Sequence, residues 1–139
     1  MRNEEGERRL KHMTNRDTNL LAMRPDIPTA QPELAANPIE QFQHATLRPI
    51  LKGQNDLLIS AFLHYTERRK GVFQKLSPDK KAAYIEQALQ KDQRFREWMF
   101  GLLAGHFTTE EWAFYLDHEP EIRKRITSML VQRLVDQLS

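Results

Sequence analysis

The chain has 139 residues, of which 40% are apolar and 9% aromatic, enough to build the core of one domain. Its 21 Lys and Arg nearly balance 19 Asp and Glu, so a net charge of +2 provides no broad field toward nucleic acid or membrane. The absence of cysteine excludes disulfides, thiolate catalysis, cysteine zinc sites and iron–sulfur clusters, and fits a reducing compartment.

Residues 1–36 carry six basic and six acidic residues, three prolines (Pro25, Pro28, Pro32) and scattered apolar side chains. Such a segment buries too little surface to offset its ordering entropy, so the sequence predicts a flexible tail, with Leu20, Leu21 and Met23 as its points of docking. No apolar run of signal-peptide length occurs near Met1, and the most apolar later window, Trp98 to Phe107, is half the roughly 20 residues that span a bilayer. The expectation is a soluble, cytoplasmic protein with a helical domain over residues 37–139.

That domain opens at Asn37, an N-cap residue followed by Pro38 at the first helical position and Glu40 in the first turn. At 100° per residue, Leu47, Ile50, Leu51, Leu57, Leu58, Ala61 and Tyr65 fall on one face. Because this stripe runs through TLRPILKGQNDLL, the pattern predicts one long helix from Pro38 to about Lys70, bent at Pro49. Gln54 falls near the centre of the stripe with Gln43 beside it. The two are either amides satisfied within the core or the lining of a small polar pocket.

Ser77 and Pro78 open a second helix carrying Ala82, Ile85 and Leu89 inward, and a third runs from about Asp92 to Ala104, burying Phe95, Trp98, Met99, Leu102 and Leu103. Gly101, Ala104 and Gly105 make a small face suited to the close approach of another helix. In FTTEEW, Thr108 and Glu111 have the spacing of a capping box, with Phe107 and Trp112 as its hydrophobic staple. This fourth helix turns Trp112, Tyr115 and Leu116 inward. DHEP, at Asp117 to Pro120, then starts a fifth helix ending near Leu138. No segment alternates with period two over a strand length. The expected fold is all-α, a single compact domain of about five helices.

Two segments, FQHATLRPILKGQNDLL at Phe42–Leu58 and FTTEEWAFY at Phe107–Tyr115, resemble those of a group of short, all-helical bacterial proteins, over about residues 38–139. Some members of that group carry a glyoxalase label. Glyoxalases are built from βαβββ modules with His and Glu metal ligands, or use a metal motif of the HxHxDH kind. Here His12, His44, His64, His106 and His118 are dispersed, with no HxH or HExxH, so the residues predict neither a metal site nor a cofactor. The resemblance therefore implies a fold and no activity.

Walker, dinucleotide-binding and nucleophile-elbow motifs are also missing, leaving surfaces as the candidate sites. Arg68, Arg69, Lys70, Lys75, Lys80 and Lys81 form a basic cluster with Phe73 among them, a candidate anion site for acidic partners or nucleic acid. Their competing role is to complement the negative end of the first helix. In the last helix, Val131, Leu134, Val135 and Leu138 lie on a different side from Ile122, Ile126 and Met129. They are either covered internally or a homodimer interface. The functional expectation is a protein–protein interaction or regulatory module, with a cofactor-free helical enzyme as the alternative.

Overall fold

The computed structural model describes residues 15–27 and 36–139, all of whose regular elements are helical. Residues 15–23 are helical (α1), and the chain continues through 24–27 without regular structure. From residue 36 onward there are seven α-helical segments: α2 (Pro38–Phe42), α3 (Arg48–Gly53), α4 (Asn55–Glu67), α5 (Pro78–Lys91), α6 (Gln93–Ala104), α7 (Thr109–Asp117) and α8 (Glu119–Leu138). A π-helical turn, Gln43–Leu47, joins α2 to α3, and a 3-10 turn, Val72–Lys75, follows α4.

The start of the domain is as expected, with the Asn37 side chain accepting the Glu40 amide at 2.9 Å and Pro38 at the first helical position. The single long helix bent at Pro49 is replaced by three pieces. Proline lacks the N–H that continues an α-helix, and its ring crowds the carbonyl four residues back. The chain meets this with the π turn, in which the Arg48 amide reaches back five residues to the Gln43 carbonyl. Helical dihedrals are lost at Gln54, at φ −101° and ψ 12°, although its amide still donates to the Ile50 carbonyl and its carbonyl accepts from Leu58, both at 2.9 Å. The extra residue in the π turn and the distortion at Gln54 shift the phase of the buried stripe. Leu57 is 46% exposed, while Phe62 and Thr66 enter the core.

Ile122, Ile126, Leu130 and Leu134 form a fully buried row along α8, which packs against α5 with its buried Ile85, Ala88 and Leu89. Two aromatic groups extend this core. Phe62 meets Phe73 edge to face at 5.2 Å and Tyr84 at 6.2 Å; Phe42 meets Phe107 edge to face at 5.5 Å and stacks on Phe114 at 5.1 Å.

Several expected core residues lie elsewhere. Trp98, Trp112 and Leu116 are exposed, because Met99, Phe100 and Leu103 on α6 and Tyr115 on α7 occupy the narrow buried faces of those helices. The capping box of Thr108 and Glu111 is formed, whereas Phe107 turns to Phe42 and Tyr115. Gly101 faces open space, so no helix uses the small face there.

Of the segment expected as a flexible tail, residues 15–27 lie against the domain, and residues 1–14 and 28–35 lie outside the described residues. Polar side chains hold the segment together with the half-buried Leu20, Pro25 and Ile27, while Leu21 and Met23 remain exposed.

The shift in helical phase has a measurable consequence. Leu58→Ala is expected to lower unfolding stability by about 2–5 kcal/mol, whereas Leu57→Ala should cost less than about 1 kcal/mol. Chemical denaturation of the two variants separates this arrangement from an uninterrupted 100° stripe, which would make the losses comparable.

Candidate functional site

The C-terminal end of α4 meets the start of α6 in a cleft of about 410 Å³ lined by His64, Tyr65, Arg68, Arg69, Asp92, Arg94, Phe95 and Trp98. Asp92 organises it. As the N-cap of α6, its Oδ1 accepts from the Phe95 amide at 3.1 Å, and its Oδ2 accepts from the Tyr65 hydroxyl at 2.9 Å and from the Arg69 guanidinium. The Tyr65 ring stacks on Phe95 with centroids 4.0 Å apart and lies 4.2 Å from the Arg69 guanidinium carbon. A second depression, of about 490 Å³, shares Tyr65, Arg69 and Asp92 and adds Tyr84 and Lys91.

The protonation states of this trio are well separated. The Phe95 amide, then the Tyr65 and Arg69 bonds, hold the Asp92 carboxyl below the usual carboxylate range; burial and the neighbouring Asp92 push the Tyr65 hydroxyl up. At neutral pH the trio is a carboxylate, a guanidinium and a neutral phenol. None of the three changes protonation near neutrality, so the trio is a fixed framework and not a proton-transfer pair.

Within the expected basic cluster, Arg69 is occupied by Asp92, and only Arg68 and Arg69 reach the cleft. Lys81 sits 5.5 Å from the Phe73 ring centre, Lys75 and Lys80 are exposed, and Lys70 occupies the reversal after α4 at φ 67°, followed by Gly71 at φ 61°. The cleft takes its further cation, Arg94, and its half-exposed ring, Trp98, from α6. Arg68 and Arg94 have no acidic partner among the described residues. Their convergence depends on the packing of α4 against α6, and the only sequence signal for it is Asp92 as a helix cap.

Gln43 and Gln54 are each half-buried and do not bond to one another; Gln43 Oε1 accepts from Arg125 at 2.6 Å, tying the π turn to α8. Arg123 of α8 is likewise engaged, bound to Glu97 and the Tyr115 hydroxyl and placed over the Phe100 ring. On the C-terminal patch, Leu134 is fully buried and Val131, Val135 and Leu138 are half-buried against the core, so the monomer itself covers much of that face.

A second polar assembly lies at the other end of α6. Arg24 grips both oxygens of Glu111 at 2.6 and 2.7 Å and donates to the His106 carbonyl at 2.9 Å; its Nε is buried without a partner. Arg16 donates to the carbonyls of Gly105 and Phe107, at 3.0 and 2.9 Å, while Asp17 accepts from the Thr109 amide at 3.1 Å. Cations thus cap the C-terminal end of α6 and an anion the N-terminal end of α7. Glu111 also accepts from the Thr46 hydroxyl at 2.7 Å and the Thr108 amide at 2.8 Å. Burial pushes its carboxyl up, but the bonds from Arg24, Thr108 and Thr46 outweigh that and hold it below its ordinary value. Burial, with Arg24 and Arg16 nearby, pushes the His106 imidazole down.

Among the described residues, no group of three His, Asp or Glu side chains is placed to hold a metal. No described helix is long and apolar enough to cross a membrane. No protein-family model, curated protein or solved structure matches the chain.

Glu111 yields a pH prediction. Its folded pKa is depressed, so its stabilisation is complete above the ordinary value of 4.5 and lost as pH falls through the folded value. Glu111→Gln should lower stability at pH 7 by about 1–3 kcal/mol, the range for hydrogen bonds to charged groups. In denaturation measured between pH 7 and 3, the gap from the wild type should close below pH 4.5. A gap that stays constant would show that the carboxylate charge contributes nothing.

Proposed function

We propose that this is a cytoplasmic helical interaction module that binds an acidic segment of a partner protein in the Arg68–Arg94–Trp98 cleft and performs no chemistry of its own. The observation that carries this reading is the placement of two guanidinium groups, without acidic partners among the described residues, beside a tryptophan that is 48% exposed. Arginine and tryptophan are the residue types that dominate binding energy at interfaces, and together they suit a carboxylate followed by an apolar or aromatic side chain. The locked Tyr65–Asp92–Arg69 trio holds the ends of α4 and α6 in register, so the cleft meets a ligand without reorganising.

A nucleic-acid reading is less well supported, because Glu67, Glu86 and Glu97 are interspersed with the exposed cations of this region. A phosphate backbone requires a more continuous positive track. The resemblance to short helical proteins fits a shared scaffold. Phe42 and Thr46 from one of its two segments touch Phe107, Phe114 and Glu111 from the other, so those segments specify packing.

The test is a titration with Glu- and Asp-rich peptides containing Phe or Leu, read by tryptophan fluorescence and calorimetry. Binding should be lost by at least tenfold in Arg68→Glu/Arg94→Glu, and Trp98→Phe should remove the fluorescence response. Equal affinity of the charge-reversed variant, or tighter binding of a single-stranded oligonucleotide than of any acidic peptide, would overturn the reading.

A further inference from the structure

Residues 15–27 dock in an unusual balance. An amphipathic segment that completes a core turns its apolar side inward; here Leu20, Pro25 and Ile27 are half-buried, but Leu21 is 52% and Met23 63% exposed. A short set of charged bonds adds to this partial packing: Arg24 on Glu111 and the His106 carbonyl, Arg16 on the Gly105 and Phe107 carbonyls, and Asp17 on Thr109. Lys52 adds a bond to the Asp26 carbonyl at 3.2 Å. The Arg24–Glu111 pair is shielded, at 10% and 16% side-chain exposure, but the buried Arg24 Nε has no partner, and water satisfies it when the strap leaves.

The surface beneath it is already formed. Glu111 is fixed by the capping box and by Thr46, and the three successive carbonyls of residues 105–107 converge on the arginines because α6 ends and α7 begins there. Alongside runs a cleft of about 390 Å³, whose lining includes Pro38, Phe42, Ala45, Phe114 and, from the strap, Leu21. None of the fixed groups depends on the strap for its place in the chain. The seat joins a carboxylate, a row of acceptors and an apolar wall.

We propose that this seat is a recognition surface for an arginine-bearing segment of another polypeptide, and that residues 15–27 are its resident competitor in the same chain. The resident segment shows the chemistry the seat accepts: two arginines eight positions apart, an acidic residue beside the first, and an apolar residue between them. The local attachment of the strap raises its effective concentration, so a competing segment must gain contacts the strap lacks. The cleft wall of Phe42, Ala45 and Phe114 provides them, through a larger apolar residue at the position equivalent to Leu21. Arg24, Arg16 and Lys52 as cations, and Asp17, Glu110 and Glu111 as anions, line this contact, with both arginines near enough to the His106 imidazole to act on it. Association is therefore weakened by salt and by acid.

The test uses the full-length chain and a labelled peptide with the sequence of residues 15–27. Arg16→Ala/Arg24→Ala frees the seat, so this variant should bind the peptide at least tenfold more tightly than the wild type, and adding Glu111→Gln should remove most of that gain. Substituting Arg68→Glu/Arg94→Glu should leave the peptide affinity unchanged, which separates this site from the cleft at the opposite end of α6. Equal binding by the wild type and the double alanine variant, or loss of the variant's cooperative thermal transition, would show that the strap is a fixed structural element. A wild-type dimer that becomes monomeric in the variant would place a second copy's strap in the seat and overturn the same-chain arrangement.

Discussion

The Glu111 carboxylate is the point on which the rest of the molecule is aligned. It closes the capping box of α7, accepts from Thr46 in the π turn, and pairs with Arg24 of the N-terminal segment. One partly buried anion therefore connects three stretches of chain distant in sequence. A buried carboxylate is costly unless its oxygens are fully bonded, and here every bond that compensates for burial also fixes one element against another. The Phe42, Phe107 and Phe114 rings pack around the same junction, so the polar and aromatic contacts determine the same geometry.

Asp92 plays the corresponding part at the other end of α6. It caps that helix with one oxygen and binds Tyr65 and Arg69 of the α4 end with the other. The two ends of α6 thus carry assemblies of opposite chemistry, separated by about 18 Å of helix. One leaves cations and an indole ring accessible; the other presents acceptors and a carboxylate to cations. The two ends of α6 therefore differ in the charge they present among the described residues.

The legibility of these features in the sequence follows the range of the interactions involved. The starts of α2, α5 and α7 could be read because a cap, a proline or a capping box acts within four residues. In α8 the periodicity placed Ile122 and Ile126 inward but set Leu134 on another side, whereas the helix buries Ile122, Ile126, Leu130 and Leu134 as one row. The course of the chain past Pro49 could not be read, since a 100° projection assumes an unbroken α-helix and the π turn consumes an additional residue. Trp98 and Trp112 were placed inside on hydrophobicity alone, which ranks residue types without knowing which helical face receives a neighbour.

By itself, then, the sequence determined that the protein is helical, where most of its helices begin, and that Ile85, Leu89, Ile122 and Ile126 face the core. Those properties depend on local sterics, capping and periodicity, all of which act within a turn or two of chain. Tertiary structure alone decided that Arg68, Arg94 and Trp98 share a cleft, that Arg69 is neutralised by Asp92, and that Arg24 leaves an apparently featureless tail to meet Glu111. These pairs lie on separate elements, Arg24 and Glu111 being 87 positions apart. Whether two such charges meet depends on how the intervening helices pack, and no local pattern encodes that distance.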